Sequence, residues 1–93
     1  MITVSCEPDG DDWRCSVTIG DDSRATRHQV TVRAENLRRI APPKAKVDDV
    51  VRTSFEFLLA REPRESILRS FDLAEISRYF PEYDSELRRA FGG

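Results

Sequence analysis

Two cysteines, one histidine and two acidic turns are the residues whose chemistry could reach as far as catalysis or metal binding. Cys6 and Cys15 stand nine positions apart, not in the Cys-x-x-Cys spacing of a zinc knuckle. They fall in an acidic stretch that lacks the positive charge needed to stabilise a thiolate. Both read as small apolar core residues, with a cross-strand disulfide or redox pair as the alternative. His28 shares strand parity with Val30 and Val32, so it reads as a partly buried structural imidazole at a strand end, not a base. Asp9, Asp11 and Asp12, then Asp21 and Asp22, offer hard oxygens to Ca²⁺. Successive turns of a meander lie at opposite ends of its middle strand, however, and Asp9-Gly10-Asp11-Asp12 lacks the EF-hand spacing and its distal glutamate. No Gly-x-Ser-x-Gly, Walker, Gly-x-Gly-x-x-Gly or His-Glu-x-x-His pattern occurs. The expectation is therefore a non-enzymatic protein with no catalytic residue, metal, cofactor or evident small-molecule substrate.

The elements that position these residues follow from periodicity. Ile2, Val4 and Cys6 alternate with Thr3, Ser5 and Glu7, and Trp13, Cys15, Val17 and Ile19 alternate with Arg14, Ser16 and Thr18. The turn Pro8-Asp9-Gly10-Asp11-Asp12 joins them into a hairpin, and pairing Pro8 with Trp13 sets Cys6 opposite Cys15. A second turn at Gly20-Asp21-Asp22-Ser23 leads to a third strand around Arg27 to Arg33, completing an antiparallel meander. Ala34 to Ala41 reads as a helical turn or two, stopped by Pro42-Pro43.

Val47, Val50, Val51, Ser54, Phe55, Leu58 and Leu59 predict a helix from about 47 to 61. Phe57 sits about 200° around that helix from Phe55, so the helix needs cover on two faces: the sheet and later helices. Pro63 starts a further turn with Ile67 and Leu68, and Asp72-Leu73-Ala74-Glu75 is a capping-box start for a short helix ended by Pro81. A last helix begins at Asp84 or Ser85, with Gly92-Gly93 as its cap. That pair is not read as the activated tail of a β-grasp modifier, in which strands follow the helix, because the chain after Val47 reads helical. The fold class is α+β: a three-stranded antiparallel β-meander, then a central amphipathic helix and two or three short C-terminal helices.

The 93 residues, 39% apolar and 34% charged, make one domain: a meander over 1–34, a basic connector over 35–46 and a helical part over 47–93. The N-terminus lacks a secretory layout and no apolar run reaches a membrane span, so a soluble, cytoplasmic protein is expected. Net charge is −2, but residues 24–46 carry seven bases against Glu35. Arg27, Arg33, Arg38, Arg39, Lys44 and Lys46 are thereby expected to form a positive stripe able to bind nucleic acid. Aromatics concentrate in the second half, and Phe57, Phe71, Tyr79, Phe80 and Tyr83 exceed what short helices readily bury.

Phe55-Glu56-Phe57-Leu58-Leu59, Arg61-Glu62-Pro63, Glu65-Ser66-Ile67-Leu68, Phe71-Asp72-Leu73, Ile76 and Tyr79-Phe80-Pro81-Glu82-Tyr83 together resemble a family of small uncharacterised bacterial proteins, over about a third of the chain. The resemblance implies no activity and no catalytic residue. At the level of architecture, a meander leading into a helix is similar to HicB-like antitoxin domains. The function expected is a protein-protein interaction module, homodimeric or bound to another protein through those five rings. The alternative is an antitoxin-like or regulatory protein that binds nucleic acid through residues 24–46.

Overall fold

The computed structural model describes residues 1–92. Three strands, β1 (Ile2–Asp9), β2 (Asp12–Ile19) and β3 (Thr26–Val32), form the expected meander. Gly10, at φ +64°, opens the first turn with a conformation that only glycine adopts without strain. The register pairs Pro8 with Trp13 and Cys6 with Cys15, as the alternation requires.

Two helices follow: α1 (Ala34–Ile40) and α2 (Val47–Leu59). After a 3₁₀ turn over Arg64–Ser66, the chain forms a strand that periodicity did not foresee, β4 (Ser70–Asp72). It lies parallel to β3, pairing Val30 with Phe71, and makes the sheet four-stranded and mixed in the order β1-β2-β3-β4. The expected purely antiparallel three-stranded sheet is corrected accordingly, as is the reading of the chain after Val47 as wholly helical. Three residues are too few to show a period. The Asp72 capping box forms and starts a 3₁₀ turn, Leu73–Glu75, which runs into α3 (Ile76–Tyr79). Last comes α4 (Tyr83–Ala90); Gly92 caps it at φ +89°, while Gly93 of the expected Gly-Gly cap lies outside the described residues.

The core lies between the inner face of the sheet and α2. Cys15, Val17, Val30 and Val32 from the sheet meet Val50, Val51 and Phe55 in one buried cluster. His28 is fully buried, its ring 5.4 Å from that of Phe55. Its Nδ1–H donates to the Leu68 carbonyl at 2.7 Å, since a carbonyl only accepts. Nε2 and the Thr26 hydroxyl are hydrogen-bonded at 3.0 Å. The imidazole is structural, as expected, but wholly enclosed. On the second face of α2, Phe57 meets Phe80 at 5.8 Å and Tyr83 at 5.3 Å, both edge-on. The helix is thus covered on both sides, as the Phe55/Phe57 offset demands.

Cys6 and Cys15 are joined by a disulfide, with their Cα atoms 4.1 Å apart. The alternative reading of these residues therefore replaces that of two free core thiols. The cause is register: the pair directly next to a hydrogen-bonded one brings side chains closest across antiparallel strands.

Tyr83 supplies the clearest pH dependence. The Ser54 hydroxyl donates to the Val50 carbonyl at 2.7 Å, so the Tyr83 phenol donates to Ser54 Oγ, also at 2.7 Å. Burial raises the phenol well above its ordinary value of 10.0, and the Ser54 bond opposes this only in part. The raised value means that the unfolded chain ionises first as pH climbs. Stability is retained below the ordinary value and lost on rising above it. Thermal melts across alkaline pH are expected to show a falling midpoint that Tyr83→Phe flattens and Tyr79→Phe does not.

Candidate functional site

A concavity of about 430 Å³ opens where α2 ends and the irregular segment before β4 begins. Leu58 and Glu62 form one wall. Pro63 turns the chain away from α2, and Ile67 plugs into the core while Leu68, its neighbour, is 52% exposed. Phe71 stands at the base, held by β4 against Phe55 at 5.9 Å. Ile76, Tyr79 and Phe80 close the far side, placed there by the Asp72 cap: Asp72 accepts from the Ala74 N–H at 2.9 Å, and Glu75 accepts from the Asp72 N–H at 2.9 Å. Tyr79 is 68% exposed. Two large apolar side chains thus flank an apolar cleft instead of filling it.

Arg61 stiffens the frame behind this cleft. Its guanidinium lies 3.5 Å from the centre of the Phe57 ring, donates to the Phe57 carbonyl at 3.0 Å, and pairs with Glu82 at 3.2 Å and Glu86 at 2.8 Å. The end of α2 is thereby tied to the start of α4. Glu82 is held below the ordinary carboxylate range, first by its own backbone N–H and then by Arg61. Glu65 is lowered likewise, by its own backbone N–H ahead of Arg64. In the cleft itself the charged groups are Glu62 and Glu75, with no lysine or arginine in the lining. Glu75 is committed to the cap, whereas Glu62 makes no ion pair among the described residues.

The five rings expected at an interface therefore divide. Phe71, Tyr79 and Phe80 line the cleft, with Tyr79 exposed and Phe80 half-buried. Phe57 and Tyr83 are buried beneath them and are not available for contact, because the second face of α2 consumes them. Leu58, Ile67, Leu68, Ile76 and Glu62 were read from the sequence as parts of elements and not as site residues; Leu68 carried a usable signal as one of two adjacent apolar residues that a single short turn cannot both bury.

The basic residues do not make one stripe. Arg27 and Arg33 sit at opposite ends of β3, about 20 Å apart at strand rise, and Arg33 pairs with Asp72 at 2.8 Å. Arg38 and Arg39 lie on α1, where Arg39 pairs with Asp84 at 3.0 Å, while Lys44 and Lys46 are exposed on the connector. Arg38 and Arg39 share a small cleft of about 190 Å³ with Arg88 and Phe91. Arg88 was not foreseen, because α4 brings it to α1 across the fold. The four arginines in the last turns of α1 and α4 also answer the negative ends of those helices.

No group of three or more metal-ligating side chains occurs among the described residues, and none of their helices is long and apolar enough to cross a membrane. Comparison with known proteins finds no matching protein family, curated protein or solved structure.

The division between contact and support predicts distinct energetics. Urea denaturation is expected to show Leu68→Ser and Tyr79→Ser within about 0.5 kcal/mol of the parent. Phe57→Ala, which empties a buried site between two helices, is expected to lose about 3–5 kcal/mol.

Proposed function

We propose that this protein is a non-enzymatic interaction module that receives a segment of a partner protein in the cleft beside Tyr79. The observation that carries this reading is the pair of exposed apolar side chains, Leu68 and Tyr79, standing on the walls of a preformed apolar cavity. A small domain that leaves such groups uncovered around a concavity has the anatomy of a docking site. The charge of the lining sets the partner's chemistry: a large apolar anchor with a basic residue next to it, facing Glu62. His28, enclosed and with both ring nitrogens engaged, offers no base to a substrate.

Nucleic-acid binding is the second reading, favoured by one observation: Arg38, Arg39 and Arg88 converge on one cleft. It would use α1 and α4 with Lys44 and Lys46, and would leave Arg27 and Arg33 aside. A cytoplasmic location belongs to either proposal. In that compartment thiol buffers act against disulfides, so the Cys6–Cys15 bond would be under reducing pressure while the β1–β2 ladder pairs the same residues.

Affinity capture from native lysate, with and without nuclease, separates the readings when wild type is run beside variants. The expected result is a discrete protein retained after nuclease, lost with Leu68→Ser/Tyr79→Ser, weakened by Glu62→Lys and unaffected by Arg38→Ala/Arg88→Ala. Recovery that vanishes with nuclease, or that the arginine variant alone abolishes, would move the assignment to the basic cleft.

A further inference from the structure

The outer edge of β1 carries a row of backbone groups whose direction can be read from the register. The Gly20 N–H donates to the Met1 carbonyl at 2.8 Å, so Met1 faces β2. Direction alternates along an antiparallel strand, and Thr3, Ser5, Glu7 and Asp9 therefore also bond to β2, the last closing the two-residue turn with Asp12. Ile2, Val4, Cys6 and Pro8 direct their backbone groups away from the sheet. Pro8 fits this parity, having no N–H to lose at an open edge. No loop or helix among the described residues bonds to the Ile2, Val4 or Cys6 backbone on that side.

Sheet proteins ordinarily blunt such an edge with charge, bulges or cover. Here Glu7 and Pro8 do so only at the hairpin end, and the side chains of Ile2, Val4 and Cys6 lie half-buried along the inner margin. We propose that this edge is an interface between two copies of the chain, β1 pairing antiparallel with β1 of a second copy about a two-fold axis at Val4, so that two four-stranded sheets become one.

The choice of a second copy follows from self-complementarity. With Val4 opposite Val4, Ile2 faces Cys6 and Thr3 faces Ser5, giving about six backbone hydrogen bonds, because each outward pair exchanges two. Glu7, the only charged side chain between Ile2 and Pro8, is kept away from its own copy at the ends of the ladder. The two Val4 side chains, with both Ile2 side chains flanking them, close over the inner margin that each monomer leaves half open. Pro8 in each copy stops the ladder at that end, and the two-fold pairing closes as a dimer because it uses up the same β1 edge of both copies. This surface shares no residue with the cleft beside Tyr79.

Sedimentation velocity across a roughly hundredfold concentration range reads the association directly. The full chain, and a semisynthetic full chain ligated at Cys6 with the Val4 nitrogen methylated, would be compared. Methylation replaces an outward N–H by a methyl group and leaves the β1–β2 bonds in place, with circular dichroism as the check that the fold is kept. The expected result is a dimer for the unmodified chain, at least tenfold weaker when methylated and unchanged by Tyr79→Ser. A monomer at every concentration overturns the proposal, as does a dimer indifferent to methylation. Neither outcome bears on the cleft, whose own test uses a different partner.

Discussion

A helix with aromatic side chains on nearly opposite faces cannot rest on one layer, and α2 imposes that condition on the whole chain. Phe55 requires the sheet, where it meets His28 and Phe71. Phe57 requires a second layer, supplied by Phe80 and Tyr83. Every element after α2 serves this need: the 3₁₀ turn reverses the chain, β4 anchors it to β3, and α3 and α4 lay their rings over Phe57. The cleft beside Tyr79 is the place where the second layer does not quite close. It exists because the segment between α2 and β4 spends Ile67 on the core and has Leu68 left over.

Polar contacts sharpen what apolar burial begins. Arg61 joins stacking on Phe57 to two carboxylates of the α4 region, a combination that fixes the angle between helices better than a single surface ion pair could. The Ser54 hydroxyl, bonded back to its own helix and receiving Tyr83, makes the central packing directional. Asp72 is used three times: it pairs in β4, caps the following turn and meets Arg33. The residue that ends the sheet also sets where the cleft's far wall stands.

How much of this was legible in the sequence depends on the length over which each signal repeats. The β1–β2 hairpin and its register could be read because eight-residue strands alternate and Pro8 fits only one pairing parity. α2 could be read, with the need for cover on both faces, because Phe55 and Phe57 are incompatible with a single buried stripe. β4 could not, since Ser70-Phe71-Asp72 has no period and its partner is remote in sequence. The cleft was visible only as a surplus of rings; which of them remain at the surface is decided by tertiary packing, and Phe57 and Tyr83 went inward. The basic stripe failed for a related reason. Sequence adjacency joined Arg33 to Arg38, but Asp72 draws Arg33 aside and α4 delivers Arg88 from the other end of the chain.

The parallel contact between β3 and β4 has a consequence in time. His28 and Leu68, which it brings together, are 40 positions apart, whereas the meander closes through turns of a few residues. The entropy of closing the larger loop must be met before that contact forms, so the hairpins and α2 are expected to form first and β4 to dock late. Elements that arrive last with few hydrogen bonds are the ones that detach most readily from the native state. One wall of the cleft, from Ile67 to Phe80, is thus expected to belong to the late-docking part of the chain, and whatever settles between it and Leu58 at the end of α2 acts as a clasp, holding the final piece of the chain against the early one.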